Sequence, residues 1–153
     1  MLQVKNNVKV MDQQLVLLTS DEEILSSFEI MQELRPKLEK AQYVDLVRQL
    51  ESECNYQLLG SYADGQLEGL AGFRISRSLA WGKYLYVDDL ITSASKRSGG
   101  NGKRMMDWLI ELAREQGCER IDLDSGVQRF AAHRFYLRER MDILCYHFTR
   151  MLD

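Results

Sequence analysis

Proline is almost missing from this chain, with Pro36 the single example in 153 residues, and no linker, internal repeat or low-complexity tract interrupts it. Cysteine is scarce as well. Cys54, Cys118 and Cys145 are odd in number, far apart and in no CxxC pair, which argues against a disulfide framework and against a zinc site and reads as buried thiols in a reducing cytosol. No apolar run approaches the ~20 residues of a membrane span, and the N-terminus lacks a signal-peptide core. Neither sign of charge dominates: the net charge is -3 and the sequence pI near 5.5, which excludes a general polyanion-binding surface and so disfavours DNA and RNA. What remains is a soluble cytoplasmic protein, 45% hydrophobic and 28% charged, read as one globular domain over residues 1–153 with a loose arm over 1–12.

Glycine is concentrated where it matters. Arg97-Ser98-Gly99-Gly100-Asn101-Gly102-Lys103 runs straight into a strongly helical stretch beginning Arg104-Met105-Met106. Residues without Cβ let loop amides converge, and a following helix adds its free N–H groups and the positive end of its dipole at the same point. That pairing is an anion cradle. Lys96, Arg97, Lys103 and Arg104 surround it with cations, which suits a ligand with more than one phosphate better than a lone carboxylate. A nucleotide-binding P-loop is excluded, because no Gly-Lys-Ser/Thr follows the spaced glycines.

The periodicity gives the order of elements. Leu15 to Leu18 reads as a strand, and Ser20 with Glu23 forms a capping box that opens a helix carrying Ile24, Phe28, Met31 and Leu34. Arg35-Pro36 stops it. A second helix spans about 42–53 with Val44, Val47 and Leu50 on one face, so two amphipathic helices can close over a sheet and wall a pocket. From Tyr56 the period becomes two: Tyr56–Tyr62, a turn at Ala63-Asp64-Gly65-Gln66, and a return strand Leu67–Ser76 form a hairpin. Gly69, Ala71 and Gly72 leave space on the return strand for something to approach. A third antiparallel strand runs from Ala80 to Thr92, and strict alternation would send Asp88 and Asp89 to opposite faces. After the glycine loop the helix continues to about Gln116, with Met105, Leu109 and Leu112 buried and Gly117 as its stop. Cys118–Asp124 then completes a crossover with parallel strands. A short helix over 130–139 and a final apolar strand over 143–149 close the chain.

That order resembles the GNAT superfamily of acyl-coenzyme A-dependent N-acyltransferases. Arg97-Ser98-Gly99-Gly100-Asn101-Gly102 matches the signature Gln/Arg-x-x-Gly-x-Gly/Ala, Tyr86 to Thr92 resembles the family's fourth strand, and Arg129 to Tyr136 resembles its Asn-x-x-Ala-x-x-x-Tyr segment, with Met141 following. The similarity covers roughly residues 15–149. Asn101 departs from the pattern where an apolar residue is common, and Arg129 where asparagine is.

The resemblance implies a mixed α/β fold whose central, mostly antiparallel sheet is splayed between the fourth and fifth strands and flanked by helices. It implies acetyl-coenzyme A as co-substrate, its diphosphate held by Arg97, Ser98, Gly99, Gly100, Asn101, Gly102 and Lys103, its pantetheine and acetyl group lined by the main chain of Leu90, Ile91 and Thr92, and further contacts from Arg129 and Ala132. No metal is needed. The acceptor is an amine of a small molecule or peptide, and a homodimer through the last strand suits the fold. Because an alkylamine of pKa about 10.4 is protonated at neutral pH, a base or water chain must take a proton, a role that Asp88 or Asp89 fits by position, with Asp88 favoured as the first acid of a Glu-Asp-like pair. Tyr136 is placed to protonate the leaving thiolate. His133, Trp81 and Trp108 read as structural. Glu22, Glu23, Glu29 and Glu33 make one helix acidic, which suits a cationic amine and a solvated face equally. A non-catalytic module that binds acyl-coenzyme A and controls a partner protein is the alternative.

Overall fold

The computed structural model describes residues 12–97 and 99–153, so Ser98 and most of the anticipated N-terminal arm lie outside the described residues. Five strands, β1 (Gln13–Leu17), β2 (Gln57–Ala63), β3 (Gln66–Ser78), β4 (Gly82–Thr92) and β5 (Arg120–Leu123), form one sheet in sequence order. The first four pair antiparallel and β4 pairs with β5 in parallel, the mixed sheet expected from the crossover.

Adjacent residues on β2 and β3 face opposite sides, which divides the core into two layers. Leu58, Leu70 and Ile91 pack against Ile24, Phe28, Met31, Tyr43 and Val47 from the N-terminal helices. On the other face Leu59, Ala71, Phe73, Leu85 and Val87 pack against Met105, Leu109 and Ala113 of the helix after the glycine loop.

The capping box forms, with Glu23 N–H donating to Ser20 Oγ (3.2 Å) and Ser20 N–H donating to Glu23 Oε2 (2.9 Å). The single helix expected beyond it is two, α1 (Asp21–Ser26) and α2 (Phe28–Leu34). Buried Ser27 breaks it: its hydroxyl bonds back to Ile24 O (2.7 Å) and also meets Tyr43 Oη (2.8 Å), a local alternative that competes with the helical ladder. In α3 (Lys40–Cys54) the buried stripe is Tyr43 and Val47, and Leu50, assigned to it from the sequence, is 41% exposed. The hairpin turn is Asp64-Gly65, both in left-handed conformation, as a two-residue loop matched to strand twist requires.

Two helices follow the sheet's centre. The first, α4 (Asn101–Glu115), ends where Gly117 takes φ +68, as anticipated, with Gly117 N–H on Arg114 O and Cys118 N–H on Ala113 O. The second, α5 (Phe130–Arg138), stops by the same pair of bonds, but Arg140 stands in glycine's place at φ +61.

Three sequence expectations are corrected. No strand forms over 143–149: Met141 to Asp153 enters no regular element, because it has no paired neighbour among the described residues. The cysteines are not buried thiols, since Cys54 and Cys118 are half-buried and Cys145 is exposed. Asp88 and Asp89 do not face opposite ways, for a reason that belongs to the site.

Candidate active site

Strand β4 carries the site because it is longer than its parallel neighbour. Its pairing with β5 runs only from Tyr84↔Arg120 to Val87↔Leu123, whereas β4 continues to Thr92 and stays paired with β3 throughout that extension. Asp88, Asp89, Leu90, Ile91 and Thr92 therefore border a wedge where the two strands part. Tyr86 and Asp124 span its closed end, the phenol donating to the carboxylate.

Within the extension the ladder slips: Phe73 faces Val87, but Gly72 faces Asp89, so Asp88 is the extra residue of a β-bulge. The bulge cancels one step of alternation. Val87 packs on the α4 side, while Asp89, two residues on, points to the α1–α3 side. Asp88 turns to that same side, where Arg74 Nε–H donates to its Oδ2 (3.0 Å) and Oδ1 (3.3 Å). Both carboxylates thus share a face.

Their partners differ. Asp89 is nearly enclosed and fully engaged: Arg35 Nε–H donates to Oδ1 (2.9 Å) and the Tyr56 hydroxyl to Oδ2 (2.8 Å). Arg35 also donates to Asp88 O (2.8 Å), gripping the bulge by its backbone. Burial and the neighbouring Asp89 push the Tyr56 phenol well above its usual pKa, so it remains a donor. Burial raises the Asp88 carboxyl as well, and Arg74 opposes the rise. Beside Asp89 opens a pocket of about 540 Å³, walled by Met31, Leu34, Tyr43, Val47, Leu50 and Tyr56, with Arg35 and Lys37 its cationic side chains.

At the other end of the wedge the loop meets α4. Gly100 has φ +79, and the first backbone bond of the helix is Arg104 N–H to Gly100 O (3.0 Å). The N–H groups of Gly100, Asn101, Gly102 and Lys103 make no hydrogen bond among the described residues, as expected for the first donors of a helix. The cations around them are less free. Lys96 pairs with Glu68, Lys103 with Asp107 and Glu139, and Arg104 donates to Gly99 O and Asn101 Oδ1. Asn101 is a core residue at 1% exposure, accepting from the Ser61 hydroxyl (2.7 Å) and donating to Glu68 Oε2 (3.0 Å). It bolts the helix start to β2 and β3.

Helix α5 docks on this same start. Gly102 lies against the Phe135 ring, which a Cβ would meet at 3.5 Å, and Lys103 pairs with Glu139 at 3.6 Å. Tyr136 follows Phe135, its phenol raised by burial and partly offset by Arg129 at the start of α5. Ala132 is half-buried one turn before Tyr136. His133 is used structurally, its Nε2 bonded to Gly126 O (2.8 Å). Trp108 packs edge-on to Phe73, and Trp81 packs on Tyr84 beneath Arg120. Glu23, Glu29 and Glu33 are engaged in the capping box, with Lys40, and with Ser93 and Ala94, so the acidic helix is largely explained by its own contacts.

Tyr56, Arg35, Arg74 and Glu68 were not singled out from the sequence. Gly72 was the available signal, since a glycine inside a strand marks close approach. Its missing Cβ is where the Tyr56 hydroxyl sits.

A five-stranded mixed sheet that parts beside a bulged strand, with the start of a helix following the loop at its end, defines an α/β transferase fold. The chain belongs to the acetyltransferase (GNAT) family, whose model matches residues 24–141. It is 37% identical over 119 residues to an uncharacterized N-acetyltransferase, YhdJ, of Bacillus subtilis, covering 78% of this chain and 84% of that one. It is 27% identical over 104 residues to an aminoalkylphosphonate N-acetyltransferase of Salmonella typhimurium, covering 67% and 66%. An aminoglycoside acetyltransferase from an uncultured soil metagenomic sample superposes with a TM-score of 0.77 at 13% identity, covering 94% of this chain and 97% of that one, a likeness of fold alone. Among the described residues no cluster of ligating side chains could hold a metal, and no helix is long and apolar enough to cross a membrane.

Proposed function

We propose that this chain moves an acetyl group from acetyl-coenzyme A directly to a primary amine carried on an apolar body. The observation that carries the reading is that the edge of β4 from Leu90 to Thr92, which β5 does not cover, leads into a loop and helix start whose amides at Gly100 to Lys103 have no partner among the described residues. The amides and the α4 dipole suit a diphosphate, and the free edge suits an extended amide-bearing arm that binds like an added strand. The donor set therefore fits the coenzyme, which when bound supplies the acetyl group as a thioester.

The chain's residues then divide the work. Arg97, Ser98 and Gly99 complete the cradle, and Arg129 and Ala132 border it from α5. The main chain of Leu90, Ile91 and Thr92 orients the arm, and one of these amides polarises the thioester carbonyl. Asp88 takes the proton from the amine, because unlike Asp89 it has a single side-chain partner and is left available on the bulge. Asp89 orients, held by Arg35 and Tyr56. Tyr136, held protonated by burial, returns a proton to the departing sulfur. The pocket between α2, α3 and β4 takes the body of the acceptor, and its aliphatic and aromatic walls favour an apolar one.

The test is calorimetric titration of acetyl-coenzyme A, followed by thiol release with arylalkylamines, polyamines and aminoalkylphosphonates. Heat of binding and release fastest with arylalkylamines are expected. Absence of heat removes the cofactor reading. Heat without release for any amine converts the protein into a non-catalytic binding module.

A further inference from the structure

A second bulge, between β2 and β3, has no part in the chemistry proposed above. Ser61 faces Gly69 but Tyr62 faces Leu67, so Glu68 is the extra residue on β3. A bulged residue leaves the ladder and its side chain is re-aimed. The outcome here is a carboxylate only 6% exposed, a costly placement for a charge unless partners compensate it.

Those partners stand on either side of the glycine loop. Glu68 Oε1 pairs with Nζ of Lys96 (3.3 Å), the residue before Arg97, and Glu68 Oε2 accepts from Nδ2 of Asn101 (3.0 Å), the first residue of α4. The Glu68 carbonyl also accepts from Ser93 N–H (2.8 Å), directly after β4 ends. One residue of β3 therefore holds the loop both where it leaves the sheet and where it enters the helix. The two held residues in turn enclose the loop between them: a Cβ on Gly99 would lie 3.4 Å from Lys96 O and 3.6 Å from Asn101 Nδ2.

We propose that Glu68 is a positioning residue for the coenzyme loop: by clasping Lys96 and Asn101 it shapes the turn between them, so that the loop is set before a diphosphate arrives. Order established in advance is a cost that binding no longer bears. This role rests on the acetyl-coenzyme A reading given above. Stability alone does not require the carboxylate, because apolar packing often serves a core as well as a buried ion pair does.

Charge by itself makes the opposite prediction. A carboxylate near a diphosphate repels it, so neutralising Glu68 should tighten binding if the residue acts only through its field. If it acts as a clasp, neutralising it releases the Lys96 end and weakens binding. Glu68→Gln separates the two, since glutamine keeps an oxygen for Asn101 but offers no charge to Lys96.

Calorimetry with acetyl-coenzyme A should show Glu68→Gln binding about tenfold more weakly than wild type, because the loop is competent in a smaller fraction of molecules. The KM for acetyl-coenzyme A should rise in step while kcat stays within about twofold, the pattern of lost binding and not of lost chemistry. In the unliganded protein the amides of Lys96 and Arg104, bonded to Ser93 O and Gly100 O, should exchange faster in the variant. Equal or tighter binding by the variant overturns the proposal, as does a fall in kcat with KM unchanged. A wild type that gives no heat removes the coenzyme reading and this role with it; a wild type that binds, beside a variant that binds equally well, removes this role alone. If Glu68→Gln does not fold, Lys96→Met breaks the same pair from its exposed side. Faster exchange at Arg104 in that unliganded variant, where Lys96 has no phosphate to touch in either protein, supports the clasp, and unchanged exchange overturns it.

Discussion

Gly72 lies directly opposite Asp89 in the β3–β4 ladder, and a Cβ at position 72 would fall 1.8 Å from the Tyr56 hydroxyl and 2.7 Å from Asp89 Oδ2. A glycine on one strand is thus the space in which a tyrosine just ahead of β2 reaches a carboxylate on β4. Gly72→Ala should displace Tyr56 and break its 2.8 Å bond to Asp89, adding overpacking to a lost charged hydrogen bond. The expected loss is about 2–4 kcal/mol, read as a shift in the denaturant midpoint. Adding Tyr56→Phe should recover part of it, because the clashing hydroxyl is gone. A Gly72→Ala protein as stable as wild type would contradict this geometry.

Asn101 replaces an apolar residue in the family pattern and is bonded on every side. Asn101→Leu would leave Ser61 and Glu68 short of partners in the core, and a buried polar atom stripped of its bond costs about 1–3 kcal/mol. The substitution should therefore destabilise the fold by roughly 2–4 kcal/mol and weaken acetyl-coenzyme A binding, since this residue anchors the helix start that bears the proposed diphosphate donors. Thermal melts and calorimetry on the same preparations check both effects.

Gly117 and Arg140 end their helices with the same two hydrogen bonds and with positive φ, but only one of them is glycine. The left-handed conformation costs a side-chain-bearing residue about 1–2 kcal/mol, while glycine's extra freedom in the unfolded chain returns about 0.4–1 kcal/mol of that. Arg140→Gly should accordingly raise stability by about 0.5–1 kcal/mol. Gly117→Ala should lower it by a comparable amount. Equal and opposite shifts in melting temperature are the readout.

The pH profile should widen on its alkaline side. Burial lifts the Tyr136 phenol above its ordinary pKa of 10.0, so a proton donor at this position persists as pH rises and is lost only beyond that value. The base role proposed for Asp88 requires the unprotonated carboxyl, and burial lifts that carboxyl above the ordinary 3.8, so kcat/KM should fall as pH drops through a carboxylate range moved upward. Tyr136→Phe should lower kcat by about 10²-fold, the low end of general acid–base contributions, and remove the alkaline limb assigned to the phenol. Asp88→Asn should remove the acid limb assigned to the carboxyl. Unchanged rates in either variant reassign that role.

Much of this was legible locally. The capping box at Ser20, the stop at Gly117, the turn at Asp64-Gly65 and the glycine loop before α4 are each set by a few neighbouring residues whose backbone preferences act over one turn. The order of β2 to β5 followed, since short antiparallel connections and one right-handed crossover leave few arrangements, whereas the place of β1 beside β2, across three helices, did not. The sequence therefore determined strands β2 to β5 and the position of the glycine loop ahead of α4. What tertiary structure alone decided depends on contacts between distant residues. Alternation predicts opposite faces for Asp88 and Asp89, and only the slip against Gly72 and Phe73 turns both to one side. Asn101 reads as a poor fit until Ser61 and Glu68, some forty and thirty-three positions away, surround it. The strand predicted over 143–149 has the right composition, but a strand exists only when another edge accepts its hydrogen bonds, and among the described residues none does.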